Sequence, residues 1–243
     1  MKASDLFLKC LEEEGVDTIF GVPGEENADL MISLLDSPIE FIICRHEQAA
    51  AFMAEMHGRL TGQPGVCMST LGPGATNLVT GVASATLDYA PLVAIIGQGS
   101  TQRLHKESHQ NMDSIAMFKP VTKWASSIYV ADNIPEVISK AFKIARDEKP
   151  GATVIELPED IAKHDTKAVP IPYRAGQLHG GTDTHLIERA LVLLAESKRP
   201  IALNGWGVLR AGASHLIEKF VDKTGIYAAN TFMGKGSLSA THE

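Results

Sequence analysis

Along most of the chain the apolar positions switch between two spacings. Near the N-terminus Leu6, Phe7, Cys10 and Leu11 recur at three- and four-residue intervals, which predicts a helix with Ser4 as its N-cap and Gly15 as its stop. A short apolar run at residues 18–22 then predicts a buried strand. The same exchange continues with helices at 28–35, 47–60 and 76–87 and strands at 41–44, 65–69 and 92–96. After an irregular stretch at 97–123, a strand at 125–130, a helix at 134–146 and a strand at 153–157 follow. Strands that are apolar throughout need cover on both faces, and helices between them supply it. The predicted fold class is α/β, a parallel sheet with helices on both faces.

Residues 162–184 break the pattern with prolines around 169–173 and with Gly176, Gly180 and Gly181, the composition of a linker. Beyond it a helix at 185–195, a strand at 200–204, a helix at 214–224 and a strand at 226–229 open a second α/β domain. The expected division is a first domain at 1–165, a linker at 166–184 and an incomplete second domain at 185–243. A piece of about 60 residues buries too little surface for independent stability, so a portion of a longer protein is expected.

Composition and charge remove several functions. The 243 residues carry 22 basic and 29 acidic side chains, a net charge of −7, and no Lys or Arg run forms a basic stripe. Nucleic-acid binding by phosphate neutralisation is therefore not expected. No run of 18 apolar residues occurs and the N-terminus lacks the apolar core of an export signal, so a cytoplasmic protein without membrane association is expected. Cys10, Cys44 and Cys67 lie far apart in apolar or helical settings and read as reduced core residues. Glu12, Glu13 and Glu14 read as a solvated helix face.

In an open parallel sheet, ligands collect at the carboxyl ends of the strands. Four loops there stand out: Gly21-Val22-Pro23-Gly24, Arg45-His46-Glu47-Gln48, Gly72-Pro73-Gly74 and Gly97-Gln98-Gly99. Each glycine suits either a plain turn or close backbone approach to a ligand. Glu47 opens a helix whose next residues are small. It either complements the helix dipole or is a buried carboxyl of raised pKa that exchanges a proton with a heteroaromatic ligand, with Arg45 and His46 as partners. Gly205-Trp206-Gly207 lacks the third glycine of a dinucleotide fingerprint, Gly234-Lys235-Gly236-Ser237 lacks the P-loop spacing, and Gly-x-Ser-x-Gly is absent. His105 and His109 share helical spacing but have no further ligands, so no metal site is expected.

In order along the chain, Phe20 to Gly24, Arg45 to Ala54, Gly58 to Gly62 and Leu71 to Asn77 resemble the N-terminal pyrimidine-binding domain of thiamine-diphosphate enzymes, with acetolactate synthases the nearest group. Asn204 to Gly207 and the stretch from Thr224 to Gly236 resemble the start of that family's central domain. The resemblance implies that Glu47 hydrogen-bonds N1′ of the aminopyrimidine, so that the cofactor's own 4′-nitrogen removes the thiazolium C2 proton. It implies that Pro23, Gly24, Gly72, Pro73, Gly74 and Asn77 help bind the cofactor, that Gln110 reaches the reacting intermediate, and that His109 lies beside it. His109-Gln110 resembles the catabolic type of acetolactate synthase, where biosynthetic relatives carry an aromatic residue before the glutamine. Hence pyruvate or another 2-keto acid is the implied substrate, and FAD is not expected. The family's diphosphate-binding domain, with its Gly-Asp-Gly metal motif, is not among these residues, so Mg²⁺ is expected only with that domain and this chain alone is expected to be inactive. A homodimer or homotetramer is implied, since the cofactor lies between subunits. Two other readings stand beside this one: a related 2-keto-acid decarboxylase or carboligase, and a non-catalytic interaction module built on the same domain.

Overall fold

The computed structural model describes residues 1–104, 106–173 and 181–242. The linker glycines Gly176 and Gly180, and His105, lie outside the described residues. The chain forms two compact units, Met1–Arg174 and Ala175–Glu243.

The first unit runs α1 (Ala3–Glu13), β1 (Thr18–Gly21), α2 (Ala28–Ser33), β2 (Glu40–Ile43), α3 (Glu47–Thr61), β3 (Gly65–Ser69), α4 (Pro73–Leu87), β4 (Leu92–Gln98), α5 (Ser114–Phe118), β5 (Trp124–Ser127), α6 (Ile134–Arg146), β6 (Ala152–Pro158) and α7 (Glu159–Lys163). Its six strands form one parallel sheet in the order β2-β1-β3-β4-β6-β5, the α/β architecture expected.

Alternation along the strands divides the interior in two. Ile19, Val66, Met68, Val93, Ile95, Ile155 and Leu157 face one core, closed by Leu6, Phe7 and Leu11 of α1, Leu30 of α2, Ile138 and Phe142 of α6 and Ile161 of α7. Cys67, Leu92, Ala94, Ile96 and Val154 face the other, closed by small residues of α3 and α4 and by Phe118 of α5. The small residues set that second spacing: a Cβ on Gly81 of α4 would lie 2.5 Å from Ala51 Cβ of α3, so the two helices pack closer than larger side chains allow. All three cysteines are free and buried, as expected.

Several local expectations shift. Lys2, not Ser4, occupies the N-cap of α1, and Ser4 is buried inside the helix, accepting a hydrogen bond from Ser33 Oγ at 2.8 Å. Gly15 does end it: at φ +81° it lets its own N–H reach Glu12 O at 2.9 Å while Val16 N–H reaches Leu11 O at 3.1 Å. Glu14 is not on a solvated face. It is buried and paired with Arg146, because α6 packs against α1. α4 begins three residues earlier than its apolar period shows, since Pro73 sits at the first helical position with its φ already suitable. Gly97 and Gln98 are the last residues of β4, paired with Leu157 and Pro158, so the loop starts at Gly99.

The stretch read as the start of a linker packs on the first unit. Thr166 N–H donates to Met1 O at 2.9 Å and its hydroxyl to Asp132 Oδ1 at 2.5 Å. The second unit holds α8 (Thr184–Glu196), β7 (Ile201–Asn204), α9 (Trp206–Arg210), α10 (Ser214–Thr224) and β8 (Tyr227–Asn230), with β7 and β8 parallel. Sequence periodicity missed α9, which is only five residues long. No residue of α8 is buried, and Leu186, Leu191 and Leu193 are exposed.

Candidate functional site

The strand order reverses between β1, whose crossover leads outward to β2, and β3, which continues to the other side. That reversal opens a crevice at the carboxyl end of the sheet, and two of the four loops flank it. After β1, Val22 N–H bonds Met68 O at 3.2 Å, Pro23 is exposed, and Gly24 N–H donates to Asn27 Oδ1 at 2.9 Å. After β3 comes Thr70, whose side chain fills the space against two glycines. A Cβ on Gly24 would stand 2.2 Å from Thr70 Cγ2, and one on Gly74 would stand 2.7 Å from Thr70 Oγ1. Larger residues at either position would displace Thr70 or close the crevice.

Glu47 is the first residue of α3 and is half-buried rather than enclosed. His46 does not serve as its partner: the ring is spent as N-cap, Nδ1 accepting from Gln48 N–H at 3.1 Å, and Arg45 is exposed. The partner is Asn77, whose Nδ2 donates to Glu47 Oε2 at 2.9 Å. Gly74 and Asn77 stand three apart on α4 and so share a face, and a Cβ on Gly74 would lie 3.5 Å from Glu47 Oε1. One carboxylate oxygen is thus oriented by an amide while the other faces the glycine gap. The N-termini of α3 and α4 converge here, and both helix dipoles favour negative charge.

Gly72 caps α4 with φ +52°. A Cβ there would lie 2.7 Å from Gln110 O and 2.9 Å from Gln110 Cβ, so the 109–110 turn rests on the start of α4. Gln110 itself has φ +54°, uncommon for a side-chain-bearing residue. Its side chain and that of His109 are exposed. The structure therefore gathers Gly24, Glu47, Gly72, Gly74, Asn77 and Gln110, with Pro23, Pro73 and His109 on the adjoining backbone. It adds Thr70, for which the only sequence signal is its position two residues before Gly72-Pro73-Gly74.

Behind the turn, Gln98 and Glu156 form a buried polar pair that periodicity does not reveal. Burial pushes the Glu156 carboxyl above the ordinary carboxylate range, and the surrounding Ser127, Gln98 and Ser114 side chains draw it part of the way back. Among the described residues no group of three His, Cys, Asp or Glu side chains could hold a metal ion, and no helix is long and apolar enough to cross a membrane.

Residues 1–117 match the family described as thiamine pyrophosphate enzyme, N-terminal TPP binding domain, and residues 187–243 match the thiamine pyrophosphate enzyme central domain. The chain is 39% identical over 249 residues to the probable acetolactate synthase large subunit of Methanocaldococcus jannaschii, covering 100% of this chain and 42% of that protein. It is 35% identical over 236 residues to the catabolic acetolactate synthase of Raoultella terrigena, covering 97% and 42%. It is also 35% identical over 246 residues to the glyoxylate carboligase of Escherichia coli O157:H7, covering 100% and 42%. The chain spans about two fifths of the length of these relatives. With both successive domain types matched in order, the chain belongs to the thiamine pyrophosphate enzymes, and the crevice between β1 and β3 lies within its N-terminal TPP-binding domain.

Proposed function

We propose that this chain is the N-terminal part of a thiamine-diphosphate-dependent acetolactate synthase, which decarboxylates pyruvate and joins the remaining two-carbon unit to a second 2-keto acid. The observation that carries the reading is Glu47, opening α3 at the switch crevice with one oxygen held by Asn77 and the other turned to the Gly74 gap. This donor set fits the pyrimidine end of the cofactor: a carboxylate for a ring nitrogen, and space beside it that any Cβ would fill. When bound, thiamine diphosphate supplies the electron sink that decarboxylation of a 2-keto acid needs.

The chain's own residues orient and hold protons. Asn77 holds Glu47 Oε2, and Glu47 Oε1 would accept a hydrogen bond from a protonated ring nitrogen of the cofactor. Gly72, Pro73 and Gly74 at the start of α4, with Pro23 and Gly24 after β1, would hold the pyrimidine ring. Gln110 and His109 overhang the crevice, where an acceptor keto acid would be oriented. The His109-Gln110 pair supports the catabolic type, which works without FAD. Mg²⁺ belongs with the diphosphate end, to be held by a diphosphate-binding domain and not by residues of this chain.

A second copy of the protein is the proposed partner, in a homodimer or homotetramer. The supporting feature is an exposed apolar stripe on α3, formed by Phe52, Met53, Met56 and Leu60. The buried free thiols support a reducing, cytoplasmic setting.

The test is product analysis on the full-length protein with pyruvate, thiamine diphosphate and Mg²⁺, without FAD. Acetolactate is expected, and Glu47→Gln should lower turnover by about 10²–10⁴-fold, the range for a general acid–base group. Undiminished turnover in that variant refutes the reading. The likeness to a glyoxylate carboligase favours one alternative, a carboligase preferring another 2-keto acid. Faster consumption of glyoxylate than of pyruvate would select it.

A further inference from the structure

The stretch between β4 and α5 carries His109 and Gln110 and is fastened at both ends. At its start, Ser100 N–H donates to Glu159 Oε1 at 3.3 Å, and Thr101 donates through its N–H and hydroxyl to the two oxygens of Asp160 at 2.9 and 2.5 Å. Near its far end a buried side chain reaches it. Gln98, 2% exposed at the end of β4, donates from Nε2 to Met112 O at 3.1 Å and to Glu156 Oε2 at 3.0 Å, while its Oε1 accepts from Gly99 N–H at 2.9 Å. Glu156, 5% exposed on β6, anchors that amide from behind.

None of residues 106–113 is buried, whereas Ser114 and Phe118 of α5 just beyond them are. An open cleft of about 560 Å³, lined by Gln98, Met112, Ser114, Ser127, Tyr129 and Glu156 among others, lies beside this part of the chain. Gln98 forms part of its wall. Two residues before Met112, Gln110 holds a left-handed backbone and presses on Gly72. A disfavoured conformation of this kind persists only where its surroundings impose it.

We infer that Gln98 and Glu156 are positioning residues for Gln110: the buried amide–carboxyl pair fixes the Met112 end of the turn and so sets Gln110 against the start of α4. The inference rests on the proposed reading of the crevice as the cofactor and substrate site. It adds two residues that touch neither cofactor nor substrate and that act through a third.

The experiment is a double-mutant cycle on the full-length enzyme with pyruvate. Gln98→Leu, which removes all three side-chain hydrogen bonds, should lower kcat by about 10- to 100-fold, the effect of a small misplacement of a reacting-site group. Thiamine diphosphate affinity should be unchanged, because Glu47, Asn77 and the glycines are untouched. In a Gln110→Ala background the same change should cause no further loss, since it acts through the residue already removed. Backbone amides at 106–113 should exchange faster in Gln98→Leu, and Glu156→Gln, which keeps an acceptor for Gln98, should lose less turnover than Glu156→Leu. Gln98→Met serves the same cycle if leucine disturbs folding. Losses that multiply in the double variant overturn the inference while leaving the crevice reading intact. If Gln110→Ala itself leaves turnover whole, the inference fails, whereas the crevice reading is tested separately by Glu47→Gln.

Discussion

Arg146 offers a test of the packing that holds the site's scaffold together. At the end of α6 its Nη1 lies 2.6 Å from Glu14 Oε2, its Nη2 donates to Glu14 O at 3.0 Å, and its Nε donates to Gln63 Oε1 at 3.3 Å. The guanidinium also stacks on Phe142 and Tyr173. The Glu14 side chain is almost fully buried. Burial pushes its carboxyl above the ordinary range, while the hydrogen bond and charge of Arg146 pull it down without cancelling the rise. Arg146→Leu keeps bulk over Phe142 but leaves the carboxylate buried without a cation, a change of about 3–5 kcal/mol. With a urea m-value of about 2 kcal/mol/M, the midpoint of the first unit should fall by about 2 M.

The sign with pH follows from the direction of the shift. A raised folded-state pKa means that Glu14's contribution is fully present below the unfolded carboxylate value and is lost as pH rises through the folded one. Removing Arg146 raises the folded value further. The variant's deficit should therefore be greatest near neutrality and should shrink as pH is lowered toward the carboxylate range, where Glu14 takes up a proton. Arg146→Leu combined with Glu14→Gln should recover much of the loss at neutral pH. Urea titrations followed by circular dichroism at several pH values measure all of this. A deficit independent of pH, or a double variant no better than the single, would refute the buried-charge explanation.

Asn77→Leu should leave the fold in place yet lower turnover of the full-length enzyme by about 10- to 100-fold, because Glu47 loses its only described side-chain partner; unchanged kcat in steady-state assays would exclude an orienting role. Gly15→Ala should destabilise by about 1–2 kcal/mol in urea titration. No atom lies within 4 Å of the added methyl, so the whole effect would come from the left-handed backbone at φ +81°. Cys10 and Cys67 should resist an aromatic disulfide reagent until the protein unfolds. Burial pushes the Cys10 thiol up to about 12 and the Cys67 thiol higher still, with smaller increments from Glu13 and Cys44 respectively. Rapid native-state labelling at neutral pH would contradict that.

The elements whose cause is local were legible in the chain. β3 and α6 are found at the boundaries their apolar spacing predicts, because a strand covered on both faces and an amphipathic helix each write their burial into consecutive residues. The glycine-rich loops could likewise be assigned to one edge, since every strand of a parallel sheet ends on the same side. Glu47 was visible as a lone carboxylate opening a small-residue helix.

What remained hidden depends on residues distant in sequence. Nothing near Glu47 shows that Asn77, rather than His46, is its partner; that follows from how closely α3 and α4 pack, which Gly81 and Ala51 decide. Glu14 looks solvated among its acidic neighbours until α6 brings Arg146 over it. Gln98 looks like a loop residue until β6 places Glu156 behind it. The sequence by itself determined the fold class, the edge of the sheet on which the candidate site is placed, and the family. Only the tertiary structure decided which polar groups face one another, because a hydrogen-bond partner is set by side-chain geometry across elements and leaves no periodic trace in either of them.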